Sequence, residues 1–91
     1  MVRFIEVVET PAGFSLEEVW INESHVVRLR SESAYKRLLK EGQLPKDLDL
    51  NHDFTSITVT MIDSREKHIV VGDVATIATK LNYDTRTLLK G

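Results

Sequence analysis

Three histidines, one acidic run and a cluster of cations are the places where this 91-residue chain could do chemistry. His25, His52 and His68 lack the His-x-x-x-His spacing that sets two imidazoles on one helix face, so they are expected to be strand and loop histidines rather than ligands. Asp47-Leu48-Asp49-Leu50-Asn51-His52-Asp53 carries oxygen ligands at alternate positions, like the start of a calcium loop. His52 stands where the backbone needs a glycine to turn around the ion, and Thr58 where the bidentate glutamate belongs. The segment is therefore expected to be a capping loop, and no metal is assigned. Ser24 and His25 are neighbours, but adjacent strand residues point to opposite faces and no nucleophile elbow surrounds them. Asp63, Glu66 and His68 lie in or beside one turn and would act together only if the fold converged them. Four dispersed glycines make no phosphate loop. No catalytic residue and no cofactor are expected.

The remaining chemistry is that of binding. Arg28 and Arg30 share one face of a strand, and Lys36, Arg37 and Lys40 follow on the next element. If that element packs beside the strand, these cations border one surface suited to a phosphate, an anionic ligand or an acidic partner. Glu32 and Glu41 are close enough in sequence to neutralise it instead. Trp20 is the one tryptophan. If Val19 and Ile21 face the core, Trp20 points outward, where a covering helix or a subunit must shield it. Tyr35 is a second aromatic placed to touch a partner or to stack on a base.

Composition bounds these readings. A 10.4 kDa chain makes one domain, residues 1–91, and buries roughly 60–70% of the surface that its unfolded form exposes. Twelve Lys and Arg against fourteen Asp and Glu give a net charge of −2, which disfavours a duplex nucleic-acid partner. No cysteine is present, which removes disulfides, thiolate metal sites and a cysteine nucleophile. Glu6 and Glu9 interrupt any N-terminal apolar run, and nothing approaches the roughly 20 apolar residues that span a bilayer. The expected setting is soluble and cytoplasmic, with no membrane.

The elements that must position these residues follow from pattern. Val2–Glu9 and Leu16–Ile21 read as strands joined by turn chemistry at Thr10-Pro11-Ala12-Gly13. His25–Arg30 resumes the alternation, with Val27 and Leu29 on one face and Val26, Arg28 and Arg30 on the other. Ser31 or Ser33 can cap a helix reaching about Glu41, closed by Gly42 and followed by a loop over 43–53. Phe54–Ile62 alternates Ile57, Val59 and Met61 with Ser56, Thr58 and Thr60, predicting one buried and one wet face. Lys67–Val71 is its hairpin partner, and Asp73 caps a helix carrying Val74, Ile77, Ala78 and Leu81. The stretch 83–91 reads as a flexible tail, or docks Leu88 and Leu89 on a neighbour. The fold expected is α+β and mostly β: about five antiparallel strands, as a sheet or partly open barrel, with one inserted and one C-terminal helix.

Two stretches carry a resemblance. Val19-Trp20-Ile21-Asn22-Glu23-Ser24-His25-Val26-Val27-Arg28-Leu29 resembles the opening of many small bacterial and phage β-proteins, the flagellar FlbD family among them. The hairpin from Ile57 to Val71, followed by Gly72-Asp73-Val74-Ala75-Thr76-Ile77-Ala78, is similar to their second half. The resemblance implies a small non-catalytic β-module and assigns no functional residue. Together these readings lead to a regulatory binding module that contacts a protein partner, as a homo-oligomer. The alternative is a phage-encoded sponge for an anionic nucleotide messenger, held by Arg28, Arg30, Lys36 and Arg37.

Overall fold

A computed structural model describes residues 1–82. Strands β1 (Val2–Thr10) and β2 (Gly13–Ile21) form a hairpin around Pro11-Ala12. A single 3₁₀ turn at Glu23–His25 leads into β3 (Val26–Ser31), and helix α1 (Ser33–Lys40) follows. After an irregular segment come β4 (Phe54–Thr60), β5 (Arg65–Val71) and helix α2 (Val74–Lys80). The strands make one antiparallel sheet in the order β2-β1-β5-β4-β3. This is the α+β, mainly β architecture that the alternation predicts, with one helix inserted and one C-terminal. The tail expected over 83–91 lies outside the described residues.

The order has a geometric consequence. β2 and β3 are the two edges, yet only residues 22–25 join them. In a flat sheet five strands wide the edges stand roughly 19 Å apart before any offset along the strands is added. Five peptide steps reach at most about 17 Å. The sheet must therefore coil until the end of β2 meets the start of β3.

Coiling gives the sheet an inner and an outer face. On the inner face Phe4, Ile21, Ile57, Val59 and Val70 pack with Ile77 and Leu81 of α2, flanked by Val19, Val26 and Leu29, so all five strands contribute to one cluster. On the outer face Val7, Phe54 and Ile69 meet Leu39 of α1 and Leu44 of the irregular segment. Asp73 caps α2 as expected: its carboxylate accepts the Thr76 N–H at 2.7 Å, which holds it below the ordinary aspartate range. Gly72 makes the turn before it at φ +131°, where a Cβ would meet Ile77 Cδ1 at 2.9 Å.

Three local expectations are corrected. α1 has Glu32 rather than Ser31 or Ser33 at its N-cap, with no side-chain cap bond; its C-terminal end does close at Gly42, φ +75°. The wet face expected of β4 survives only at Thr60: Ser56 and Thr58 are buried, as is Thr55 on the other face, because this strand lies inside the sheet and both its faces are covered. The Thr55 hydroxyl donates to Gly72 O at 2.8 Å and that of Ser56 to Arg30 O at 3.3 Å, so burial leaves neither unsatisfied. In β3 a register shift between Val26 and Arg28 resets the alternation. Val26 and Leu29 thereby pack on the core, and Val27 is turned out.

Candidate functional site

Trp20 lies at the end of β2 and alternates with Val19 and Ile21, which pack on the inner cluster. Neither helix covers it, and it is 54% exposed. Its indole N–H donates to Glu18 Oε1 at 3.0 Å, and Arg3 on β1 donates to the same carboxylate. The Arg3 guanidinium first, and the Trp20 N–H second, hold Glu18 below the usual carboxylate range. Polar contacts thus fix the indole edge while the ring stays open to solvent.

Beside it is a cleft of about 390 Å³ whose lining includes Met1, Val19, Ile21, His25, Val59 and Met61. A second hollow of about 320 Å³ shares His25, Thr60 and Met61 with the first and adds Ile62. The β4–β5 turn creates this rim: Met61 N–H donates to Ser64 O at 2.7 Å, and the bend leaves Met61 and Ile62 projecting. Ile62 is 99% exposed. Met1, Trp20, Met61 and Ile62 make an apolar border around the seam where the two ends of the coiled sheet approach.

Polar chemistry sits on the cleft wall. His68 Nδ1 lies 2.6 Å from Glu6 Oε2, and its Nε2 lies 3.4 Å from Glu66 Oε2. Of the acids beside this histidine in sequence, the fold brings Glu66 to it and leaves Asp63 exposed in the turn. Glu6 is the residue that sequence reasoning missed. Its signal was parity: it shares the alternation of Phe4 on β1, an acid in an inward register that needs a partner. An imidazole flanked by two carboxylates donates through both nitrogens when protonated, which suits holding a structure or a ligand. Among the described residues no group of three His, Asp or Glu side chains is arranged to hold a metal ion.

The other residues singled out by sequence are dispersed. Lys36 turns back onto the irregular segment, where its ammonium meets Leu50 O at 3.2 Å, His52 O at 2.8 Å and Asp53 Oδ1 at 3.1 Å. Three oxygens for three N–H donors make it a tie between α1 and that segment. Tyr35 packs edge-on to Phe14, centroids 6.0 Å apart, and against Phe54 at 6.1 Å. Burial, with Glu9 and Glu32 nearby, raises its hydroxyl pKa. Arg28, Arg30 and Arg37 are exposed. A third hollow, about 300 Å³, lies against Ile5, Leu16, Glu17, Glu18, Asp47 and His52. None of these three hollows is lined by Arg28, Arg30, Lys36 or Arg37. Asp49, in the acidic run, accepts the Asn51 N–H at 2.9 Å, the geometry of a capped turn.

No helix among the described residues is long and apolar enough to cross a membrane. Comparison with protein-family models, curated proteins and solved structures found no match for the chain.

Proposed function

We propose that this protein is a small non-enzymatic binding module that acts by stoichiometric contact with a protein partner, which it holds at the cleft beside Trp20. The observation that carries the reading is that exposed Met1, Trp20 and Met61 border a cleft of about 390 Å³, with exposed Ile62 on the adjoining hollow of about 320 Å³. Exposed tryptophan is the residue type most concentrated where binding energy is concentrated, and methionine adapts its unbranched chain to varied apolar surfaces. His68 and Glu66 on the wall offer a hydrogen-bonding group to whatever side chain enters.

The test is capture of proteins by the immobilised full chain, in parallel with a Met61→Ser/Ile62→Ser variant of unchanged circular dichroism. A partner retained by the wild type and lost from the variant is the expected result. Its titration should also shift the emission of the one tryptophan. Equal retention by both proteins overturns the reading.

A further inference from the structure

The two edges of the sheet cannot satisfy each other within one chain. Four intervening antiparallel pairings leave β2 and β3 running in the same direction. Side-by-side parallel strands need a crossover of a dozen or more residues, and only residues 22–25 join these two. Among the described residues no strand pairs with the outer side of either edge, so each presents a row of unpaired N–H and C=O groups.

The charges on the two edges are opposite. β2 carries Glu17 and Glu18 on opposite faces, both exposed, with Glu18 also accepting from Arg3 and Trp20, while β3 carries Arg28 and Arg30, also exposed and without a side-chain hydrogen bond or ion pair among the described residues. Pairing β2 with the β2 of another copy lines four carboxylates along one seam. Pairing β3 with β3 lines up four guanidinium groups. Either like-edged dimer is opposed by repulsion across the strands. Pairing β2 of one copy with β3 of the next joins acid to base and continues the same faces of the sheet.

We infer that copies of this chain assemble head to tail, the β2 edge of one adding in parallel to the β3 edge of the next. In the register that matches faces, Glu18 comes beside Arg28 of the next copy and Trp20 beside its Arg30. Val19 then comes beside its Leu29, which extends the inner apolar face across the junction. Such a contact is heterologous: it closes into a ring if the rotation between copies allows and otherwise grows as a filament. It shares Val19 and Trp20 with the cleft of the partner site proposed above, but Met61 and Ile62 take no part in it, so a change at those two residues tells the contacts apart.

The experiment is native mass measurement of the full chain and two charge-reversed variants. The wild type is expected as a multiple of 10.4 kDa. Arg28→Glu/Arg30→Glu should fall to the monomer with its circular dichroism unchanged, and Glu17→Lys/Glu18→Lys should do the same. An equimolar mixture should reassemble into alternating copies, since each variant then meets an edge of opposite charge. Monomeric wild type, or an assembly unaltered by Arg28→Glu/Arg30→Glu, overturns the inference. That variant decides the matter even if the Glu18 change, which removes the Arg3 contact, impairs folding. A Met61→Ser/Ile62→Ser chain should assemble normally, which separates this contact from the partner cleft.

Discussion

The two faces of the sheet are both covered, but by different means. The inner cluster draws on every strand and is closed by one face of α2, leaving Ile57 and Val70 with no exposed surface. The outer cluster is roofed by a two-turn helix and an irregular segment, with Leu39 and Leu44 as its anchors. The first is produced by alternation along strands, the second by polar ties that hold a non-repetitive stretch in place. Coverage by sheet geometry ends only at the seam, and the Trp20 cleft lies there.

The largest effect expected is in the inner cluster. Ile57→Ala removes a side chain that all sides enclose, and should lower stability by about 2–5 kcal/mol in urea unfolding. Leu44→Ala, in a segment that can settle into the space left, should fall at or below about 2 kcal/mol, the low end of such changes. Reversal of that order would show that the irregular segment, not the coiled sheet, carries the fold.

A subtler substitution tests how the roof is held. Lys36→Ala frees three oxygens of residues 50–53 and should cost about 1–2 kcal/mol, because the lysine is only partly buried and solvent weakens its ion pair with Asp53. Its signature is local. Amide exchange should quicken over the irregular segment while Val70 and Ile57 stay protected. Uniform quickening would mean that the two clusters unfold as one unit.

The same contrast governs what was legible in the sequence. Strand alternation, the Asp73 cap and the turn at Pro11 are local signals, and each predicted its element. The Val27 bulge is not local; it depends on how β3 meets β4, so the face assignment failed at Val26 and Val27, while Leu29, Arg28 and Arg30 lie on the faces expected of them. β4 looked half wet because serine and threonine alternate with apolar residues, and only its place inside the sheet buries them. Lys36 looked like an anion ligand beside Arg37, yet its oxygens come from residues 50–53, which no periodicity ties to α1. Trp20 was readable as outward from its neighbours. The cleft beside it was not, because its walls come from both ends of the sheet and meet only through the coil.

The smallest expected change is the one that isolates function from fold. Ile62 touches neither cluster and is almost wholly in solvent, so Ile62→Ser should leave stability within about 0.5 kcal/mol of the wild type. A chain kept foldable by its two clusters has no structural use for an isoleucine at that position. An apolar side chain held out on a tight turn beside an open cleft lowers no folding free energy and invites association. If Ile62→Ser instead destabilises the free protein by more than about 1 kcal/mol, twice the limit for a surface change, then Ile62 is shielded in the free chain in solution. The rim would then be part of the fold, and the comparison between a covered sheet and an open seam would fail at its most exposed residue.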